Sequence, residues 1–87
     1  MPPVRYAFVR RADRDMARLP ADVRRRVFAA LDRYVAEPRA ADVKKLSGQR
    51  DVFRLRAGDH RILFEFGDGG TTAVVLRVLP RGRAYRD

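Results

Sequence analysis

Val4, Tyr6 and Phe8 are apolar at every second position, with Arg5 and Ala7 between them. That is the period of a strand with one covered face, and it predicts a short strand ending near Arg10. The period then lengthens. Ala12, Met16 and Leu19 recur at helical spacing among Asp13, Arg14, Asp15 and Arg18, so Ala12 to Leu19 reads as a short amphipathic helix that Pro20 stops. Proline is tolerated in the first turn of a helix, and Asp22 suits the positive end of a helix dipole. A second helix is therefore predicted to begin around Pro20 or Ala21. Its buried stripe is Val23, Val27, Leu31 and Tyr34 or Val35; Arg24, Arg25, Arg26, Asp32 and Arg33 fall on the remaining, solvated face. The Glu37-Pro38 pair ends it, because a residue before proline is pushed away from helical dihedrals.

A polar connection from Arg39 to Arg50 leads to three stretches of period two, Val52 to Ala57, His60 to Phe66 and Thr71 to Leu79. Gly58-Asp59 between the first two is the chemistry of a tight turn, and Gly67-Asp68-Gly69-Gly70 that of a looser one. Strands joined this briefly form an antiparallel meander. The order β-α-α-β-β-β predicts an α+β fold: a helical hairpin packed on one face of a four-stranded, mainly antiparallel sheet. Residues 1–87 contain no repeat, low-complexity tract or linker, and read as a single domain.

A sheet covered on one side sorts its residues by parity. With Phe53 and Leu55 turned inward, Arg54 and Arg56 share the opposite face. Ile62, Phe64 and Phe66 are expected inward and Arg61, Leu63 and Glu65 outward; Val74, Leu76 and Val78 inward and Ala73, Val75 and Arg77 outward. Arg54, Arg56, Arg61 and Arg77 then lie on one surface, with Glu65 the lone carboxylate among them. Beside this surface the terminal run Val78 to Asp87 sets Arg81, Arg83 and Arg86 around Tyr85, the ingredients of a phosphate cradle with an aromatic platform.

Composition sharpens the picture. The chain carries 20 Lys plus Arg against 11 Asp plus Glu, a net charge of +9, and Lys44 and Lys45 are its only lysines. Guanidinium groups match phosphate oxygens in pairs and stack on bases, and such an excess of charge draws polyanions while straining the compact state. With no cysteine, disulfides and thiolate metal sites are excluded. No spacing of His, Asp and Glu resembles a zinc or magnesium site, so no cofactor is expected. The longest aliphatic run, Ala73 to Leu76, is far short of a membrane span, so a soluble, cytoplasmic protein is expected. His60, the one histidine, falls beside the Gly58-Asp59 turn and off the basic face, a structural position. Glu65 is expected to pair with Arg61 or Arg77, or else to serve as a general base.

Together Tyr6 to Val27, Val43 to Gly48 (VKKLSG), Phe53 to Phe66 (FRLRAGDHRILFEF) and Val78 to Asp87 (VLPRGRAYRD) resemble the RelE/ParE superfamily of toxins from bacterial toxin–antitoxin modules. The likeness lies in their order and spacing: the arginine-rich strand, the Gly-Asp turn, the strand opening on Arg61, and a terminal arginine followed by tyrosine. It runs over nearly the whole chain. The resemblance implies a metal-independent endoribonuclease that enters the ribosomal A site and cuts mRNA there, held inactive by an acidic antitoxin encoded beside it. Arg54, Arg56, Arg61, Arg81 and Tyr85 match the residues lining the site in the nuclease branch. Lys44, Lys45, Arg77, Arg83 and Arg86 are expected to add RNA contacts.

Cutting RNA by its own 2′-hydroxyl requires a deprotonated, in-line nucleophile, stabilised charge on phosphorus and a protonated leaving oxygen. Arg61 and Arg81 suit charge stabilisation, and Arg54 and Arg56 suit holding the phosphate in reactive geometry. The best-known nuclease pattern has lysines at the places of Arg54 and Arg56, and arginine effectively cannot shed its proton. The general base is thus left open between Tyr85, Glu65 and none. Two further readings remain: a toxin of the ParE branch, which acts on DNA gyrase, and a catalytically inactive RNA-binding relative.

Overall fold

The helical hairpin forms as its sequence pattern dictates, with the first helix displaced toward the N-terminus at both of its ends. In the computed structural model, which describes residues 3–46, 48 and 51–81, β1 (Arg5–Phe8) leads into α1 (Arg10–Ala17), and α2 (Ala21–Ala36) follows after three residues. Helix α1 begins two residues before Ala12 and ends two before Leu19. Val9 caps its start by backbone alone, its carbonyl accepting from the Asp13 amide at 3.0 Å. Ala12 and Met16 are its buried residues, and Val27, Leu31 and Tyr34 are those of α2. Arg24, from the expected solvated face, folds back to donate to the Leu19 carbonyl, tying the two helices at their junction. The Tyr6 hydroxyl donates to Asp32 at 2.6 Å, joining β1 to α2. Burial and this carboxylate push the Tyr6 phenol up to about 12.

Among the described residues the sheet has five strands, one more than the sequence pattern predicts. Within the polar connection, the short turn Pro38–Ala40 delivers the chain to β2 (Val43–Lys45), which pairs antiparallel with β3 (Phe53–Ala57). Strands β4 (His60–Gly67) and β5 (Thr72–Pro80) complete the meander, and β1 lies parallel to β5. The order across the sheet is β1-β5-β4-β3-β2. At the β3–β4 turn Gly58 has φ 61°, a left-handed conformation that favours glycine at the first position of a two-residue hairpin loop.

Helix α1 packs on β5, and α2 on β3 and β1. Between helices and sheet lie Leu55, Ala57, Ile62, Phe64, Ala73, Val75 and Val78. Tyr34 and Phe53 flank Phe64, with ring centroids 5.4 and 5.8 Å away. Phe66 keeps to this face and packs on Phe53 at 4.9 Å, yet is 38% exposed.

The expected parity fails along the first half of β5. Leu63 pairs with Arg77, but Phe64 pairs with Val75, so Leu76 is an extra residue in the ladder, a β-bulge. Before the bulge the faces are exchanged: Ala73 and Val75 are buried against the helices, and Val74, opposite Glu65, shares the other face. Val78, beyond it, is buried as expected.

Strand β1 accompanies β5 only from Thr72 to Val75. Beyond that point Asp15 of α1 supplies the missing acceptor. Its Oδ2 takes the Val78 amide at 2.9 Å and Arg77 Nε at 2.8 Å, while Oδ1 takes Arg77 Nη2 at 3.3 Å. Burial alone would raise the Asp15 carboxyl; the bonds from Arg77 and Val78 outweigh it and hold the group below its ordinary value.

Candidate nucleic-acid interface

The pleat brings Arg54, Arg56 and Arg61 to the sheet face away from the helices. Arg56 and Arg61 are direct cross-strand partners, and Arg54 stands opposite Leu63. Side chains so paired have Cβ atoms roughly 5 Å apart, and like charges there repel. The cluster is nonetheless built into the protein. Arg61 is 2% exposed and Arg54 5%, where the parity pattern alone predicts an open, solvated face. Arg81 joins them from the end of β5, where its amide donates to the Asp59 carbonyl at 2.7 Å and fastens the chain to the β3–β4 turn. Burial, then the charges of Arg56, Arg54 and Arg81, pull the Arg61 guanidinium below its ordinary value, and Asp42 opposes them. Arg54, Arg56 and Arg81 thus all stand close enough for Arg61 to feel their charge.

Lys44 pairs with Arg54 in the ladder and so shares its face. Lys45 has the opposite parity; it bridges Asp51 at 3.0 Å, off the arginine face. Arg77, expected beside Arg61, is held by Asp15 at the sheet edge. Glu65 lines a shallow hollow with Lys45, Asp51, Phe53 and Phe66, four residues along β4 from Arg61 and hence roughly 13 Å away. His60 opens β4 opposite Pro80 and Ala57, a strand-end position. Tyr85, Arg83 and Arg86 lie outside the described residues.

Asp42 is the site residue the sequence pattern misses. It precedes β2, whose register pairs Val43 with Leu55; one step back sets Asp42 beside Arg56, and its Oδ2 lies 3.7 Å from Arg56 Nε. The expectation that Glu65 is the lone carboxylate of this face is thereby corrected. Only the pairing of β2, hidden in a stretch read as a connection, reveals it. Among the described residues no three His, Asp or Glu side chains gather as a metal centre would need, and no helix is long and apolar enough to cross a membrane. What the arrangement can do is receive a polyanion: fixed donors stand in a ladder, preorganised by the sheet.

A helical hairpin over this sheet, with an arginine cluster on its far face, is the architecture of the small toxins of toxin–antitoxin modules. The family model described as "ParE toxin of type II toxin-antitoxin system, parDE" matches residues 6–85, and the chain belongs to that family, within the RelE/ParE superfamily. Among solved structures, the toxin–antitoxin complex RelBE2 of Mycobacterium tuberculosis contains a chain 32% identical, with a TM-score of 0.76, covering 91% of this chain and 99% of that one. The archaeal RelE–RelB complex of Pyrococcus horikoshii OT3 gives 27% identity and a TM-score of 0.71, covering 95% and 99%. The isolated RelE toxin of E. coli gives 26% and 0.68, covering 90% and 84%. A search of curated proteins finds no match.

Proposed function

We propose that this toxin is a ribosome-dependent endoribonuclease that cuts mRNA in the A site by attack of the RNA's own 2′-hydroxyl. The observation that carries the reading is the convergence of Arg54, Arg56, Arg61 and Arg81. A pentacovalent phosphorane gathers negative charge, and cations fixed before the reaction stabilise it without reorganisation. Arg61 and Arg81 are assigned to that charge, and Arg54, Arg56 and Lys44 to the phosphate backbone. Guanidinium groups supply the positive charge, so the reading needs no metal. The toxin acts in the cytoplasm, beside its ribosomes, and arrests growth by halting translation.

Its partner is an acidic antitoxin. The groove between α2 and β3 is lined by Arg26, Arg33 and Arg56 against the one carboxylate Asp42, over Ala29, Ala30, Leu55 and Ala57, and this net positive lining suits an acidic segment with small side chains. Co-purification with the product of the neighbouring reading frame tests this; a chain harmless and soluble alone at high expression would count against it.

Primer extension on translated mRNA tests the nuclease. Induction is expected to produce cuts within translated frames that vanish in the Arg61→Ala, Arg81→Ala double variant, and cuts unchanged in that variant would refute the assignment. A second reading has its own support, since the matching family model is that of ParE toxins: the chain would then bind DNA gyrase. Strong inhibition of supercoiling by the purified protein, with mRNA left intact, would reverse the ranking.

A further inference from the structure

The arginine cluster leaves one chemical need unmet. A 2′-hydroxyl must lose its proton to attack phosphorus, and none of the four guanidinium groups can take it, because arginine is not deprotonated in proteins. A carboxylate stands next in the row. The β3–β4 register sets Arg61 opposite Arg56, and Asp42, one residue before Val43 in the β2–β3 register, continues the line on the other side of Arg56. Its carboxylate is 3.7 Å from Arg56 Nε, with half of the side chain open to solvent. It is thus beside the phosphate-holding groups and accessible to a bound strand. Glu65 shares the face of Arg61 but stands roughly 13 Å along β4 from it, where it lines the hollow of Phe53 and Phe66. Arg61 senses the charge of Asp42, as a residue of the same site must.

Building on the nuclease reading, we propose that Asp42 accepts the proton of the attacking 2′-hydroxyl. An Asp42 carboxylate oxygen takes that proton as the 2′-oxygen forms its bond to the adjacent phosphorus. The bond from phosphorus to the 5′-oxygen breaks, its electron pair leaving on that oxygen, which takes a proton from solvent water. The products are a 2′,3′-cyclic phosphate and a 5′-hydroxyl end, and Asp42 returns its proton to solvent. Arg56 has a double part in this site, binding the phosphate and holding the carboxylate toward it.

The test uses the full chain with programmed ribosomes and measures single-turnover cleavage together with RNA affinity. Asp42→Asn is expected to slow cleavage about 100-fold or more, the usual contribution of a positioned base. Binding to single-stranded RNA should stay the same or tighten, since a negative charge has left a cationic surface. Asp42→Glu should recover part of the rate, and thermal melting checks that both variants fold. If the wild type cuts mRNA and Asp42→Asn cuts it equally well or faster, Asp42 is only a counter-charge and the inference falls while the nuclease stands. If the rate and the affinity fall together and Asp42→Glu restores neither, the residue shapes the surface and accepts no proton. If the wild type leaves mRNA intact, the nuclease reading fails and the role of Asp42 fails with it.

Discussion

Arg61 shows what the site costs its own fold. A guanidinium that is 2% exposed, with Arg54, Arg56 and Arg81 outweighing the opposing charge of Asp42, carries the strain of a surplus of like charge that a bound anion offsets. Replacing it with a side chain of similar length and no charge should relieve that strain. Arg61→Met is expected to raise the stability of the isolated protein by about 1 kcal/mol, measured as a higher urea midpoint at unchanged slope. The same variant should bind single-stranded RNA more weakly, with a salt dependence shallower by about 0.7 in log–log slope, because one phosphate fewer is neutralised. A variant less stable than the parent would show that the arginine supports the fold. The facing of Arg54, Arg56 and Arg61 is legible in the sequence because the pleat alone decides it once Leu55 and Ile62 are known to be inside. Their burial is not, since alternation says which way a side chain points and nothing about what closes over it.

Between elements, Asp15 carries the joint of α1 with β5. Its folded-state value lies below that of the unfolded chain, so its contribution is present above about pH 4 and is lost as the pH falls through the lowered value. Asp15→Asn should therefore cost about 1–3 kcal/mol near neutrality, where Arg77 and the Val78 amide lose a charged acceptor. The deficit should shrink as the pH falls through that lowered value, where the parent's own carboxyl takes up its proton; urea titrations near neutrality and in acid give the comparison. A deficit equal at both would mean that shape, not charge, makes the joint. The same region explains where the sequence pattern runs out. Strand β2 is three residues with two lysines and one valine, too little alternation to separate from a loop, and it exists because β3 offers it a partner. The bulge at Leu76 is equally silent, because a run of Ala73, Val74, Val75 and Leu76 is apolar on either parity. Asp42 follows both into obscurity, since its place beside Arg56 depends on β2.

For the molecule as a whole, a net charge of +9 on 87 residues makes the free protein a strained polycation. Short single-stranded RNA or inorganic polyphosphate should raise the melting temperature at constant ionic strength, and added sodium chloride should raise it less, by screening alone. No shift with polyphosphate would mean that the arginine ladder is not an anion receptor. The order of the strands has a consequence of another kind. Strand β5 holds the sheet together, seated between β1 and β4, and among the described residues it follows every other strand. Until it leaves the ribosomal tunnel, β1 has no neighbour and Arg81 has not reached the Asp59 carbonyl. The fold thus closes only once the last of its described strands has been made, and the arginine cluster gains Arg81 late in synthesis.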